Sequence, residues 1–279
     1  MIIHGMKGLG DNIYQRAFVK GLPAGTWLQT PWPELYRDLP GLNLIRPDTK
    51  LRTQRKNINR QPASNWRQQP RGHVVQIGYG REGIFPGMAK CFRRAPGVMD
   101  LPDFGPPPVA GRYVVVRPVT VRAEWRADTR NPLPEYIAQA AAEVRRRGYQ
   151  VVSVADLEQG AEWALEPMPP ADVVFHRGEL PVEQLLALVQ GAAAVIGGIG
   201  WLLPAAIAAQ VPAWIVCGGQ GGFNAPELIT SPGMDLSRIE FAVPDNFCRC
   251  IQKQHSCDKR ITHYDQRLAA WADRLPAVV

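Results

Sequence analysis

The pattern of hydrophobic and polar positions near the N-terminus predicts short strands separated by helices. Apolar runs predict strands at 2–3, 26–30, 42–45 and 74–77, and the stretch 12–21 has the one-sided apolar face of a helix. Strands that alternate with helices are typical of parallel βαβ units. This part of the chain therefore predicts an α/β fold.

The same alternation resumes after a proline-rich stretch at 102–108. Its predicted strands are 113–116, 151–154, 173–175, 193–196 and 211–216, and its predicted helices are 132–147, 181–189 and 202–209. Proline continues neither a helix nor a sheet, so a domain boundary is predicted there. We predict two Rossmann-like, doubly wound domains, 1–108 and 109–261, that face a central cleft. A final amphipathic helix, 262–279, is predicted to pack back on the first domain.

Glycine turns follow several predicted strands, where α/β sheets bind their ligands. The first turn contains Gly5, Gly8 and Gly10 and leads directly to Asp11 at the start of a helix. Asp is a preferred N-cap residue, so Asp11 either caps the helix or is a carboxylate held for chemistry. The glycine spacing matches neither a dinucleotide-binding fingerprint nor a P-loop, and both interpretations stay open.

Basic residues dominate the segment 48–72, which contains seven lysines and arginines, Trp66 and almost no aliphatic periodicity. The pattern predicts a long loop, and such loops are often functional in compact domains. Basic, amide and aromatic side chains together suit nucleic-acid contact. A plain surface loop is the alternative.

The charge of the chain is unevenly divided. Residues 1–110 contain 16 lysines and arginines against 7 acidic residues, a net charge of +9, whereas 111–246 contain 10 against 15, a net charge of −5. Residues 247–279 contain 6 against 3. This asymmetry indicates that the first half meets an anionic partner, with a solubilising surface as the alternative.

Composition narrows the class of protein. The chain is 46% hydrophobic and 20% charged, as in globular proteins. No apolar run reaches the roughly 18–20 residues of a membrane span, and the N-terminus lacks the pattern of a signal peptide. Five cysteines, an odd number, indicate reduced thiols, so we expect a cytoplasmic protein.

Two clusters carry further candidate chemistry. Arg117, Arg122, Arg126 and Arg130 follow the strand 113–116, and guanidinium groups bind diphosphates bidentately. Near the C-terminus, a second cluster contains Cys248, Cys250, His255 and Cys257. Zinc sites usually have Cys-x2–4-Cys spacing, so the Cys-x-Cys pair fits imperfectly, and buried cysteines or a thiol cluster are equal alternatives. We predict no metal.

These motifs together resemble the ADP-heptose:lipopolysaccharide heptosyltransferase family. Its Leu-Gly-Asp turn is matched by Leu9-Gly10-Asp11, its helix–strand–turn–helix–strand order by 180–216, and its late cysteine-rich segment loosely by 248–257. The resemblance implies a GT-B fold and an inverting, metal-independent glycosyltransferase that uses a nucleotide-sugar donor and no cofactor. It also implies that Asp11 is the general base that deprotonates the acceptor hydroxyl.

One departure from the family concerns the donor side. The family's second glycine turn reads Asp-Ser/Thr-Gly, with a His in the helix after it, whereas this chain has Gly198-Ile199-Gly200 and no such His. The resemblance therefore implies that the donor is not bound as ADP-heptose is. The sugar and the nucleotide stay open.

The predicted site has three groups of residues. The catalytic residue is Asp11. The predicted donor-binding residues are Arg117, Arg122, Arg126, Gly197, Gly198, Gly200, Gly218 and Gly219. The predicted acceptor-binding residues are Lys7, Gly8, Gly10, Asn12, Arg52, Arg55, Lys56, Arg60, Trp66, Tyr79 and Arg81.

The opening of the chain and its arginine-rich segment also resemble heptosyltransferase-like proteins encoded by phages. This implies the cytoplasm of a bacterial host and an acceptor other than lipopolysaccharide. With the basic first half, we expect phage DNA that carries a hydroxymethylated base, flipped out or reached at a groove edge. The alternatives are a heptosyltransferase-like enzyme of surface polysaccharide and a non-catalytic GT-B protein that binds nucleic acid. The oligomeric state stays open.

Overall fold

The computed structural model describes residues 1–277, and its first sheet has four parallel strands. They are β1 (Ile2–His4), β2 (Trp27–Gln29), β3 (Asn43–Ile45) and β4 (Val74–Gln76). The order is β3–β2–β1–β4, with Ile3 paired to both Leu28 and Val75. Because β1 is an inner strand, the glycine turn that follows it lies at the middle of the sheet's carboxyl edge.

The second half contains a six-stranded parallel sheet and a separate antiparallel pair. Its strands are β5 (Tyr113–Val116), β6 (Thr120–Arg122), β7 (Gln150–Val154), β8 (Glu162–Ala164), β9 (Val173–Phe175), β10 (Ala194–Gly198), β11 (Ala213–Val216) and β12 (Ile239–Ala242). The large sheet has the order β12–β11–β10–β5–β7–β9, and β6 pairs with β8. Every residue of β5 is buried, as expected for an inner strand of a parallel sheet covered on both faces.

Helices cover both sheets. The α-helices are α1 (Leu9–Val19), α2 (Arg52–Arg60), α3 (Ile84–Phe92), α4 (Pro134–Arg146), α5 (Val182–Gln190), α6 (Leu202–Ala209), α7 (Gly221–Asn224), α8 (Pro226–Ile229) and α9 (Tyr264–Ala272). Short 3-10 helices lie at Pro33–Tyr36, Ala63–Asn65, Ala123–Trp125 and Asp128–Arg130. Within residues 1–277, no helix has the length and apolar character needed to cross a bilayer.

The two halves pack closely on each other. One buried hydrophobic cluster contains residues of both, among them Phe18 and Leu203. Helix α1 lies against α6, and a Cβ on Gly10 would be 3.1 Å from the Cα of Trp201. The first turn of α1 is therefore held directly against the start of α6.

The segment 48–72 is not the long loop that its composition predicts, because it contains α2. The buried residues of α2 are Gln54, Asn57 and Ile58, which have the i, i+3, i+4 spacing of one helix face. Two of these three residues are polar. A polar buried face shows no aliphatic periodicity, and the loop prediction was wrong for that reason.

The final helix packs on the second half, whereas the sequence predicted the first. Helix α9 contacts α4, and its Tyr264 and Trp271 lie in the hydrophobic cluster of the second sheet. The indole of Trp214 on β11 donates a hydrogen bond to the Tyr264 hydroxyl at 2.9 Å. The last two residues of the predicted range 262–279 lie outside the described residues. The boundary at residue 108 stays a prediction.

Candidate active site in the cleft

Asp11 lies in the first turn of α1, just beyond the carboxyl end of β1. The N-cap of α1 is Gly8, and Asp11 is the third residue of the helix. The interpretation of Asp11 as the N-cap is therefore wrong. A side chain on Gly8 would clash with Asp11 Oδ2, so the glycine leaves room for the carboxylate to fold back over the turn.

The turn after β4 brings Tyr79 to Asp11. The Tyr79 hydroxyl donates a hydrogen bond to Asp11 Oδ1 at 3.2 Å. Gly87 of α3 lies so close to Tyr79 that a Cβ at position 87 would clash with it. Helix α3 thus fixes the tyrosine whose hydroxyl holds the carboxylate.

Arg130 approaches the same carboxylate from the second half. It ends the 3-10 helix Asp128–Arg130, and its positive charge interacts with the negative charge of Asp11. Its Nε is buried and donates no hydrogen bond to any residue in 1–277. The cleft therefore has a carboxylate on one wall and a guanidinium with a free donor on the other.

Burial changes the proton affinity of these groups. Burial raises the pKa of Asp11 above its usual value, and the Tyr79 hydrogen bond and the Arg130 charge offset only part of this effect. Burial, together with the smaller effect of the neighbouring Arg122 charge, lowers the pKa of Arg117 to about 10. Burial and the Arg122 charge also lower the pKa of Arg130. Crowded cations of this kind favour an anionic ligand.

The three arginines predicted to bind the donor lie in two different places. Arg117 lies 3.7 Å from the carboxylate of Glu162, and Arg122 lies 2.9 Å from it. Arg126 is 53% exposed and pairs with a carboxylate two residues along the chain. The structure brings Arg117 and Arg122 near Arg130 and leaves Arg126 on the surface.

Arg130 lies in the cleft, although the predicted donor-binding set does not include it. It is the fourth arginine of the run after β5, and no other feature of the sequence distinguishes it from Arg126. Two 3-10 turns separate it from Arg122, so the direction of its side chain depends on the folded path of the chain.

The glycines after β10 have neighbours in the same region. A Cβ on Gly197 would lie 3.4 Å from Arg117 Cβ, and one on Gly200 would lie 3.7 Å from Arg117 Nη1. A Cβ on Gly198 would lie 3.0 Å from Pro132. Gly197 and Gly200 therefore border Arg117, whereas Gly198 is a packing residue.

Gly218 and Gly219 lie in a turn that packs on the segment 129–131. The Gly219 amide donates a hydrogen bond to Thr129 O at 2.7 Å. A side chain on Gly218 would clash with the backbone of Arg130, and one on Gly219 would clash with the Cys257 sulfur. The Gly219 amide is therefore not free to bind a donor phosphate.

Three predicted acceptor residues, Arg52, Lys56 and Arg60 of α2, instead join the two halves. Arg52 lies 3.0 Å from each of the carboxylates of Asp156, Glu158 and Glu162. Lys56 pairs with Asp156 at 2.8 Å, and Arg60 donates to two backbone carbonyls of the second half at 2.7 and 3.2 Å. These contacts correct the expectation that the basic segment is a free anion-binding loop. Part of the positive charge of the first half is therefore neutralised by acidic residues of the second half.

The remaining predicted acceptor residues lie elsewhere on the first half. Asn12 is fully buried, and its side chain donates to two carbonyls of the glycine turn at 2.6 and 2.8 Å. Lys7 is exposed and donates to a backbone carbonyl at 2.5 Å. Arg55 and Arg81 are exposed and form no ion pair within the described residues, and Trp66 is half-buried.

Glu34 is a buried acid of the first half with an altered pKa. It is 5% exposed, and its carboxylate accepts hydrogen bonds from the amides of Asn57 at 3.2 Å and Gln61 at 2.6 Å. Burial outweighs these donors and raises the pKa of Glu34 to about 7. The neutral, protonated form of Glu34 is therefore the form that the fold favours. The stability that this preference gives the folded protein is fully present below the unfolded pKa of 4.5, and it is lost as the pH rises through the folded pKa of about 7.

Replacing Glu34 with glutamine is expected to raise the free energy of unfolding at pH 8 by about 3 kcal/mol. Glutamine keeps the shape of the side chain and removes the buried charge. Urea unfolding at pH 5 and pH 8 measures the effect, and Glu135→Gln, at an exposed position, is the matched control. An equal pH dependence in wild type and Glu34→Gln would contradict the assignment.

A cavity of about 760 Å³ lies at the opposite edge of the first sheet. Its lining includes Met1 and Ile2 at the start of β1, and Gly72 and His73 before β4. Ligands of open α/β sheets bind beyond the carboxyl ends of the strands. We therefore place the site in the cleft at Asp11.

Comparisons with known proteins identify the fold. No known family model matches the sequence, and no curated protein matches it. Among solved structures, the dodecameric iron-containing glycosyltransferase TibC of enterotoxigenic E. coli is 15% identical and aligns with a TM-score of 0.58 over 98% of this chain and 72% of its own.

Two further solved glycosyltransferases have a similar fold. The ADP-heptose lipopolysaccharide heptosyltransferase II of E. coli is 13% identical, with a TM-score of 0.57 over 98% of both chains. A glycosyltransferase of family 9 from Veillonella parvula is 12% identical, with a TM-score of 0.55 over 86% of this chain and 84% of its own. The predicted heptosyltransferase-like GT-B fold is confirmed.

Proposed function

We propose that this protein is a glycosyltransferase that moves a sugar from a nucleotide-sugar donor to a hydroxyl group of an anionic acceptor. The observation that carries the proposal is the Asp11 carboxylate at the end of the first strand, which the Tyr79 hydroxyl binds at 3.2 Å and which lies near enough to Arg130 for that charge to lower its pKa. The structural neighbours are glycosyltransferases, and TibC has been solved with ADP-D-β-D-heptose, a nucleotide sugar.

Asp11 acts as the general base in this proposal. It takes the proton of the acceptor hydroxyl while that oxygen attacks the anomeric carbon and the bond to the nucleotide diphosphate breaks. One displacement inverts the configuration of the anomeric carbon. A raised pKa suits this role, since a base is most effective when its pKa approaches the working pH.

The arginines of the second half stabilise the leaving diphosphate. Arg117, Arg122 and Arg130 lie close together, and the Glu162 carboxylate offsets only part of their positive charge. The Nε of Arg130 is a buried donor with no partner among residues 1–277. Fixed donors in a site shielded from water stabilise developing negative charge strongly. We therefore assign this charge stabilisation to arginine side chains rather than to a catalytic metal ion.

DNA with a hydroxymethylated base is the acceptor to test first. It offers a primary hydroxyl for Asp11 and a polyanionic backbone for exposed cations such as Arg55 and Arg81. The ion pairs of Arg52 and Lys56 remove part of the basic surface on which this choice was based. Because this weakens the case for DNA, phosphorylated surface polysaccharide is the second acceptor to test.

Incubation with a panel of nucleotide sugars tests the proposal. The protein is mixed with each donor and with hydroxymethylated DNA, the same DNA without hydroxymethyl groups, or a lipopolysaccharide core, and the products are measured by mass spectrometry. The expected result is a mass increase of one sugar on the hydroxymethylated DNA alone. An increase on the lipopolysaccharide core would support the second acceptor. No transfer from any donor would contradict the proposal and favour a non-catalytic GT-B protein that only binds.

A further inference from the structure

Four metal-ligating side chains converge near the C-terminus, in the loop of residues 248–257, which we call the cysteine loop. They are Cys248, Cys250, His255 and Cys257, and their donor atoms all lie within 4.8 Å of one another. Three thiolates and an imidazole form a donor set that selects zinc or ferrous iron. The chain itself brings these four groups to one point.

The spacing of the donor atoms fits a tetrahedral ion. Metal–sulfur distances of about 2.3 Å and metal–nitrogen distances of about 2.0–2.1 Å place tetrahedral ligands about 3.6–3.8 Å apart. The sulfurs of Cys250 and Cys257 are 3.7 Å apart, and His255 Nδ1 lies 3.6 Å from the Cys248 sulfur and 3.3 Å from that of Cys257. One ion could therefore bind with small side-chain movements.

A disulfide explains the cluster less well. The sulfurs of Cys250 and Cys257 would have to approach from 3.7 Å to about 2.05 Å. Such a bond would also leave Cys248 and His255 beside it without a role. A metal uses all four side chains.

No residue of the cysteine loop is fully buried, so the loop has no hydrophobic core of its own. It contains no helix or strand, and residues 251–256 are all exposed. Small segments that cannot bury enough apolar surface are commonly stabilised by a structural metal. An ion at this point would replace the missing hydrophobic core.

The cysteine loop holds the turn after β11 by backbone hydrogen bonds. The amide of Gly221 donates to Cys248 O at 2.8 Å, and that of Gly222 donates to Cys250 O at 3.0 Å. The carbonyl groups of two proposed ligands thus bind the start of α7. Glycine is required at both positions, because a Cβ would lie within about 3.0 Å of the loop backbone.

The same loop holds the segment that carries Arg130. The Thr129 amide donates to Lys253 O at 3.1 Å, and the Gly219 amide donates to Thr129 O at 2.7 Å. Lys259, just after the loop, donates to Asp128 O at 3.0 Å. The backbone of 128–130 therefore lies between the turn after β11 and the cysteine loop.

We propose that Cys248, Cys250, His255 and Cys257 bind one tetrahedral Zn²⁺ or Fe²⁺ ion, and that this ion positions the Arg130 segment of the cleft. The ion lies outside the reacting centre and acts through the cysteine loop. Arg130 keeps its place opposite Asp11 only when the loop is closed around the metal. This inference concerns metal binding and local structure and stands without the proposed sugar transfer.

Metal analysis tests the site. The intact chain is purified without chelators, and zinc and iron are measured by elemental mass spectrometry. One zinc or one iron per chain is expected, and the measurement identifies which. Cys250→Ser and Cys257→Ser should lose the metal, whereas Cys91→Ser, a free cysteine outside the cluster, should keep it.

A second measurement does not depend on the variants folding. Wild-type protein stripped by a chelator is titrated with Co²⁺, whose visible absorption reports tetrahedral thiolate ligation. One equivalent should bind. Metal content below about one tenth per chain together with no Co²⁺ absorption would overturn the site, as would an intact-mass measurement that finds Cys250 and Cys257 joined by a disulfide in the protein as purified.

Hydrogen exchange tests the positioning role. Removing the metal from the wild type should speed amide exchange at 127–131 and 218–224 by about tenfold or more, and adding Zn²⁺ or Fe²⁺ should reverse it. Exchange in α1 should not change. If the metal binds but exchange at 127–131 is the same with and without it, the positioning role is wrong.

Discussion

Replacing Asp11 with asparagine is expected to lower the rate of sugar transfer by about 10²–10⁴-fold. Asparagine keeps an oxygen that can accept the Tyr79 hydrogen bond, so the geometry of the turn should persist. The amide cannot take a proton from the acceptor hydroxyl. Initial rates with the donor and acceptor found by the product screen measure the effect, and full activity would remove Asp11 from the mechanism.

The stability of the same variant separates a catalytic from a structural role. The pKa of Asp11 is raised by burial, so its ionised form weakens folding once the pH exceeds its folded pKa. Asparagine removes that charge and should leave the melting temperature at pH 7 unchanged or higher. A melting temperature several degrees lower would show that the carboxylate serves the fold.

The pH profile of the reaction tests whether the Arg130 charge acts on Asp11 during turnover. Because Asp11 must be ionised to act as a base, kcat/KM should rise with pH through an acidic limb above the usual range for aspartate. The charge of Arg130 lowers the pKa of Asp11. In Arg130→Met that limb should move to higher pH. A limb that stays in place would mean that the two side chains do not interact during turnover.

Replacing Arg52 with alanine is expected to lower the free energy of unfolding by about 3 kcal/mol. Arg52 is 12% exposed and meets three carboxylates of the second half, one of which, Glu162, is only 1% exposed. Breaking a buried ion pair typically costs about 3–5 kcal/mol, and the low end applies because Glu162 keeps its contact with Arg122. For a chain of this size the melting temperature should fall by about 5 °C.

Arg55 is the matched control, since it lies on the same helix but is exposed and forms no ion pair within the described residues. Arg55→Ala should leave the melting temperature unchanged. If the protein binds DNA through its exposed cations, the salt dependence of binding should weaken in Arg55→Ala by about one unit of log–log slope. Equal melting temperatures for the Arg52 and Arg55 variants would show that the interface does not depend on Arg52.

The uneven distribution of charge along the chain does not by itself identify an external anionic partner. Basic residues of α2 and acidic residues near β8 are about a hundred positions apart in the sequence, so their pairing is invisible to a reading of either segment alone. In the fold, Arg52 and Lys56 meet Asp156 and Glu162. A basic surface predicted for a foreign anion is thus partly the complement of the molecule's own second half.

The sequence alone determined the α/β class and the strand–turn–helix order that places Asp11 just after the first strand. These features follow from local periodicity, because strands and helices bury their apolar residues at fixed spacing. The apolar pattern does not predict helix α2, because two of the residues on its buried face are the polar Gln54 and Asn57. A polar face leaves no apolar repeat.

Tertiary structure alone decided which charged and metal-ligating residues meet. It selected Arg130 rather than Arg126 for the cleft, placed α9 on the second half, and brought Cys248, Cys250, His255 and Cys257 together despite their irregular spacing. Each of these outcomes depends on the path of the backbone between distant segments. Sequence spacing describes neighbours along the chain, whereas the chemistry of this cleft is set by neighbours in space.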